Sequence, residues 1–375
     1  MSRSTPSAKD YTPTVLVTGA AGYLGRVLVH ELLAPRGATG VSPREVRVLD
    51  RADFALVARQ DHRDHLVGPE DSRVKVFCGD VRDPALLRRA CDEVDLVFHC
   101  AAVVDWGHHP EALLQSINVD GTRAVLRASL EAGVAALVYT STEDVVFTGL
   151  PVRDGDEGLP FPERYVNGYC RTKAEAEQLV RSADGSPGAT GRPLRTLAIR
   201  PVGIWGEADP FHVSELLRMA QRGPLLRIGD GRARCQHVYV HNVAHAHLLG
   251  ARALLGRNEA ACGQAYFVTD APPANFFDYL EPVISGTGHR MQPWGLAIPR
   301  AWMFALGAVL DGLVSLLRPF RRFTLPVSRF AVTYVTQDFT FSGERARREL
   351  GYHPVFGEAE AYERTTRWFR AHGPV

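Results

Sequence analysis

The sequence predicts an α/β fold, with a doubly wound parallel sheet and a smaller C-terminal α/β lobe. From Thr14 onward, short runs rich in β-branched residues alternate with longer helical patterns. The runs are continuously apolar, as strands buried on both faces are, and parallel neighbours need helical crossovers. A glycine-rich turn joins the first run to the first helical stretch. At 375 residues the chain exceeds what one core usually organises. The expected division is a flexible tail over 1–13, a sheet domain over 14–205 and a mainly substrate-binding lobe over 206–375.

Hydrophobic residues at 45% and charged residues at 23% exclude wholesale disorder, collagen-like chains and coiled coils. Lys+Arg of 43 against Asp+Glu of 42 leaves a net charge of +1, too weak a field for nucleic acid to be the main partner. The six cysteines lack C-x-x-C spacing and read as reduced, buried thiols. Met1 to Thr12 is rich in Ser, Thr and Pro without an apolar stretch, so it reads as a loose tail and a cytoplasmic location is expected.

The first strand, Val15 to Val17, runs into Thr18-Gly19-Ala20-Ala21-Gly22-Tyr23-Leu24-Gly25 and then the helical stretch Gly22 to Leu33. Glycines at that junction let backbone amides approach a pyrophosphate at a helix N-terminus, with Gly19, Gly22, Tyr23, Leu24 and Gly25 as the cradle. The second strand, Glu45 to Leu49, ends in Asp50, whose carboxylate can accept from adenosine ribose hydroxyls. Its charge would repel a 2′-phosphate, which favours NAD over NADP, although Arg51 could offset that. Strands follow at Val74 to Phe77 and Leu96 to Phe98, then a helical crossover at Pro110 to Ala132.

The strand Leu137 to Tyr139 opens into Thr140-Ser141-Thr142, and Tyr169-Cys170-Arg171-Thr172-Lys173 begins a helical stretch further on. The i, i+4 spacing puts Tyr169 and Lys173 on one helix face. A nearby ammonium favours phenolate, so the pair can exchange a proton with a substrate hydroxyl, oriented by Thr142 or Ser141. A flexible loop at Gly185 to Pro193 precedes the strand Leu197 to Ile199. Beyond Pro201 the rhythm turns helical, with strand candidates at His237 to Val240 and Ala265 to Val268 assigned to the C-terminal lobe. Four histidines lie between His237 and His247, but H-E-x-x-H is absent and no third ligand is indicated, so no metal is expected.

The G-x-x-G-x-x-G turn, the Tyr-x-x-x-Lys pair and the hydroxyl cluster together resemble the extended short-chain dehydrogenase/reductase family, and with it a Rossmann-type NAD-binding domain. The resemblance implies Thr142 as the catalytic hydroxyl with Ser141 as fallback. It also implies adenine contact at Gly79-Asp80-Val81, ribose contact at His99-Cys100-Ala101-Ala102 and a structural role for Asn118. In Arg200-Pro201-Val202-Gly203-Ile204-Trp205-Gly206 it implies that Pro201 and Val202 present backbone to the nicotinamide. Val46 to Asp50, His237 to His247 and Leu316 to Phe320 look like the 3β-hydroxysteroid dehydrogenase branch, sterol-4α-carboxylate dehydrogenases included. Trp106-Gly107 is similar to reductases of long-chain 2-alkyl-3-oxoalkanoic acids.

The implied reaction is oxidation of a 3β-hydroxysteroid or sterol, with decarboxylation where the substrate carries a 4α-carboxyl. The alternatives are 2-alkyl-3-oxoalkanoate reduction, nucleotide-sugar epimerisation or dehydration, and a non-catalytic NAD-sensing scaffold. Intact Tyr169, Lys173 and Thr142 speak against the scaffold. The implied partner is an apolar small molecule, and assembly is left open, a homodimer among the options. Ala301 to Leu317 is apolar apart from Asp311 and Ser315, with Arg318, Arg321 and Arg322 following. Mid-helix charge argues against spanning a bilayer. Two uses remain, a peripheral membrane contact through 301–322 or a cover for the substrate cleft.

Overall fold

In the computed structural model the described residues are 11–35, 39–60, 62, 63, 65–106, 109–317 and 328–375, with the side chains of 311 and 313–317 set aside. The expectations for the tail over 1–10, Gly107, Arg318, Arg321 and Arg322 lie outside them. The strands in chain order are β1 (Thr14–Thr18), β2 (Glu45–Asp50), β3 (Val74–Cys78), β4 (Leu96–His99), β5 (Ala136–Thr140), β6 (Val152–Gly155), β7 (Arg195–Pro201), β8 (Gly203–Trp205), β9 (His237–Tyr239), β10 (Gln264–Val268) and β11 (Phe339–Phe341).

Seven of them form a sheet in the order β10-β7-β5-β4-β1-β2-β3, and every pairing in it is parallel. The expected doubly wound architecture is present. Alternate residues of one strand serve two cores. Val15, Val46, Leu96 and Val138 point to the face covered by the Tyr23–Leu33 and Val240–Leu255 helices. Leu16, Val97, Leu137 and Ala198 point to the face of the Pro84–Cys91, Gly121–Ala132 and Gly168–Ser182 helices. Burial on both faces is why these strands read as unbroken apolar runs. The edge strand β3 departs from that pattern, with Val76 45% exposed, because it has a neighbour on one side only.

The C-terminal assignment of Ala265–Val268 is not met. β10 pairs with β7 from Gln264↔Leu197 to Val268↔Pro201 and closes the far edge of the main sheet. Its crossover contains the Val240–Leu255 helix, which packs against the Tyr23–Leu33 helix and is joined to it by His241 Nδ1 to Glu31 Oε1 at 2.7 Å. The stretches 14–205 and 206–375 are thereby packed together. The expected strand His237–Val240 stops at Tyr239, where that helix begins. Two small parallel pairs, β8 with β9 and β6 with β11, sit beyond the sheet's C-terminal edge. Sequence order reverses around β1, which lies between β2 and β4, and the crevice this opens at the strand C-termini is where ligands of such sheets bind.

Candidate active site

At the β1 exit, Gly19 has φ +71, and a Cβ there would lie 2.6 Å from the Ala101 amide nitrogen. A Cβ on Gly25 would fall on the Gly19 carbonyl oxygen. Only glycine lets the turn and helix approach so closely. Gly22 caps the Tyr23–Leu33 helix without a side-chain bond, so its first amides remain available to an anion. The half-buried Asp50 braces this cradle: Oδ2 accepts from Ala21 N at 3.0 Å and Oδ1 from Ala52 N at 3.0 Å. Each oxygen has a second lone pair left for a ribose hydroxyl. These features fit a dinucleotide.

A cavity of about 330 Å³ extends from this turn. Its lining includes Gly19, Gly22, Tyr23, Leu24, Gly25 and Ala102 together with Ser141, Thr142, Tyr169, Lys173, Pro201 and Val202. Asp50, Asp80, Val81 and Ala101 are not in its lining. Asp80 is chelated by Arg82 at 2.9 and 2.7 Å, and that bonding holds its carboxyl down at about 2. Arg51 Nε stands 3.8 Å from Asp80, so this arginine faces Asp80.

Tyr169 and Lys173 lie in the Gly168–Ser182 helix, whose first turn is capped by Asn167 Oδ1 accepting from Cys170 N at 2.8 Å. Asn118, in a π-helical turn, accepts from Val103 N at 2.7 Å and donates to Thr172 Oγ1 at 3.2 Å. It thereby ties the loop after β4 to the helix carrying both residues. Lys173 Nζ donates to the Thr140 carbonyl at 2.6 Å and sits 4.3 Å from the Tyr139 ring centre, and burial pulls its ammonium down to about 7. The Tyr169 phenol is pushed well above its ordinary range by burial first and then by the Asp144 and Glu143 carboxyls. Burial first, and the acids after it, hold the phenol protonated against the phenolate-favouring influence expected of Lys173.

The two candidate hydroxyls are separated by their bonding. Ser141 Oγ donates to Glu177 Oε2 at 2.6 Å, and Glu177 is held by Arg200 at 2.9 and 2.6 Å in a pair that is 1% exposed or less. Thr142 Oγ1 instead lies 3.2 Å from Glu143 Oε2 and 3.2 Å from Asp144 Oδ2. Sequence reasoning missed both acids, whose polar types suggest solvent, and also His212, Phe330 and Tyr334, which line the cavity. Trp106 meets these last three edge-on, with ring centres 5.6 to 5.8 Å away.

His241 and His245 stand four residues apart in the Val240–Leu255 helix, but only His241 joins a ligand-type cluster among the described residues. His65, Glu207 and His241 bring ligand-type atoms within 4.8 Å of one another, and His245 is not among them. Arg364 already places its cation there, 2.8 Å from Glu207 Oε1 and 2.9 Å from His65 Nε2.

A dinucleotide cradle beside a Tyr-Lys-hydroxyl cluster, on a parallel sheet wound from both sides, defines an oxidoreductase fold of the extended short-chain dehydrogenase/reductase class. The sequence model of the 3-beta hydroxysteroid dehydrogenase/isomerase family matches residues 16–298. A Mycobacterium tuberculosis 3 beta-hydroxysteroid dehydrogenase/Delta 5→4-isomerase is 34% identical over 357 residues, covering 92% of this chain and 88% of the relative. The chain belongs to the 3-beta hydroxysteroid dehydrogenase/isomerase family. Among solved structures, the dTDP-glucose 4,6-dehydratase DesIV from Streptomyces venezuelae superposes with a TM-score of 0.69 at 22% identity, over 96% of this chain and 97% of that one. A Bacillus cereus UDP-glucuronic acid 4-epimerase gives 0.67 at 17% identity, over 96% and 99%. At these identities the likeness concerns the fold alone.

Proposed function

We propose that this protein oxidises the 3β-hydroxyl of a steroid or sterol with NAD. The observation that carries this reading is the single cavity joining the glycine cradle and Tyr169 to a wall of Ile204, Phe211, Trp106 and Phe330. A wall of that kind suits a fused-ring hydrocarbon and offers little to a sugar diphosphate. NAD supplies the hydride acceptor. Tyr169 takes the 3-hydroxyl proton, Thr142 orients the substrate oxygen, and Lys173 helps stabilise the phenolate and pass the proton on. Ser141 serves the Glu177–Arg200 pair instead. The backbone at Pro201 and Val202 bounds the nicotinamide side, where Val202 N donates to Val268 O at 3.2 Å.

Purified protein with NAD should reduce the cofactor on 3β-hydroxysteroids and not on nucleotide sugars. A 4α-carboxysterol as substrate would release CO2 from the resulting β-keto acid. Turnover of 2-alkyl-3-oxoalkanoates with NADH, and none of any steroid, would replace this reading with its reductase alternative.

Asp50 is proposed to set the cofactor preference. Asp50→Ser should weaken NAD use more than NADP use, because it deletes a ribose acceptor and a charge that repels a 2′-phosphate. An unchanged ratio of kcat/KM for the two cofactors would remove Asp50 from that role.

A peripheral membrane contact is proposed for the Arg300–Leu317 helix. No helix among the described residues is long and apolar enough to cross a membrane. Trp302, Leu306 and Val309 nonetheless stand 75%, 45% and 68% exposed at helical spacing. No described side chain of the helix lines the cavity, and the helix packs on the Arg329–Thr336 helix, which contributes Phe330 and Tyr334 to it. The exposure of Trp302, Leu306 and Val309 supports a surface that meets lipid. Each large side chain entering lipid contributes roughly 1.5 to 3 kcal/mol. The double replacement Trp302→Glu, Leu306→Glu should lower co-sedimentation with anionic liposomes and leave NAD affinity intact. Failure of the wild-type protein to sediment with liposomes at low salt would end this proposal.

A further inference from the structure

The loop between β8 and the Val213–Arg222 helix brings one imidazole into the cavity wall. Buried Asp209 accepts from the amides of Phe211, His212 and Val213 at 2.8 to 3.2 Å, and so fixes the backbone that carries His212. The His212 ring is also fixed. It meets Trp106, His237 and Phe276 edge-on, with ring centres 5.8, 6.0 and 5.9 Å away.

The two nitrogens of that ring have different surroundings. Nδ1 stands 3.1 Å from the Ile204 carbonyl oxygen. A carbonyl can only accept, so Nδ1 carries the ring proton and Nε2 keeps its lone pair. Nε2 has no hydrogen-bond partner among the described residues, and it is not sealed from solvent as both nitrogens of His237 are. The space His212 borders is the cavity, where its neighbours Ile204, Phe211 and Phe330 have no side-chain polar atom to offer. Phenylalanine would serve packing alone. An acceptor facing a cavity gains from a ligand that brings a donor, and loses on one that displaces its water without replacing that bond.

His212 also ends a row of contacts that begins at the reacting centre. Thr142 Oγ1 is 3.2 Å from Glu143 Oε2, and Glu143 Oε1 accepts from Tyr334 OH at 3.0 Å. Trp106 then touches both Tyr334 and His212, with ring centres 5.6 and 5.8 Å from its own. A rigid steroid whose C3 oxygen meets Thr142 and Tyr169 directs its other end along this row.

We propose that His212 is a specificity-determining residue whose Nε2 accepts a hydrogen bond from a second hydroxyl, at C17, so that the preferred substrate is a 3β-hydroxysteroid carrying a hydroxyl and not a ketone there. This assignment rests on the steroid reading above and narrows its substrate class. A C17 ketone presents only lone pairs to Nε2, and a C17 bearing hydrogen alone leaves that nitrogen without a partner.

The test uses three saturated 3β-hydroxysteroids of one skeleton, with a hydroxyl, a ketone or hydrogen at C17, and the full chain with NAD. Formation of the 3-oxo product is measured, so that oxidation at C17 is not counted. The wild type should favour the C17 hydroxyl over both others in kcat/KM by about five- to ten-fold, the worth of one neutral hydrogen bond. In His212→Phe that preference should shrink to within about two-fold, with the change carried by KM more than kcat. A purely structural role would lower all three substrates together and leave their ratios unchanged. If His212→Phe does not fold, His212→Leu is measured in the same way. A wild type without the preference, a variant that keeps it, or equal losses on all three steroids would each overturn the assignment. A wild-type protein inert toward all three would instead overturn the steroid reading, and the assignment with it.

Discussion

Tyr169→Phe is expected to bind NAD as the wild type does and to lose turnover by about 10²- to 10⁴-fold, the span typical of a lost general acid-base group. The ring is 8% exposed and sits in the first turn of a helix whose Asn167 cap does not involve the phenol. The replacement therefore keeps the packing and deletes only the hydroxyl. Because kcat and kcat/KM should fall together while KM changes little, the loss would mark an interaction made in the transition state and not in substrate binding. The pH profile supplies a second readout. Burial and the Asp144 and Glu143 carboxyls hold the phenol protonated, so oxidation should quicken as pH rises and reduction should slow. In Tyr169→Phe that alkaline rise should disappear. Turnover within a few-fold of wild type, measured under saturating NAD, would take Tyr169 out of the chemistry.

What was legible in the sequence was encoded locally. The glycine turn, strands β1, β2, β4, β5 and β7, and the Tyr169–Lys173 pair each depend on residues a few positions apart, so spacing alone reveals them. The placement of β10 does not, since nothing within Gln264–Val268 tells whether its edge partner will be β7 or a strand of another lobe. Tertiary proximity also gives the two hydroxyls different partners. Ser141 and Thr142 are neighbours of nearly equal chemistry, and Glu177 and Arg200, distant in sequence, draw Ser141 away. Glu143 and Asp144 were hidden for the opposite reason. They adjoin the strand-end cluster, but acid types after a strand ordinarily meet solvent, and only the return of Tyr334 from far along the chain encloses Glu143. The signal that could have found them is their position directly after the candidate hydroxyl Thr142.

Arg200→Met should destabilise the fold by about 3–5 kcal/mol, the usual cost of breaking a buried ion pair by removing one partner. Arg200 and Glu177 are 1% and 0% exposed, joined by bonds of 2.9 and 2.6 Å. Methionine fills much of the arginine stem's volume between Phe161 and Phe267, whose ring centres lie 5.5 and 5.1 Å from the guanidinium carbon. The loss is therefore chiefly electrostatic, leaving a buried carboxylate with Ser141 as donor and Arg181 Nη1 more distant at 3.5 Å. That residual cation places the expectation toward the lower end of the range. The pair also pins the helix of Tyr169 and Lys173 to the end of β7 that leads into Pro201 and Val202, so turnover should fall with stability. Adding Glu177→Leu removes the stranded charge, and the double variant should regain part of the lost stability, which denaturant titration would read as a coupling between the two positions. Additive losses in that cycle, or an Arg200→Met protein as stable as wild type, would show that the pair does not hold the helix and strand together.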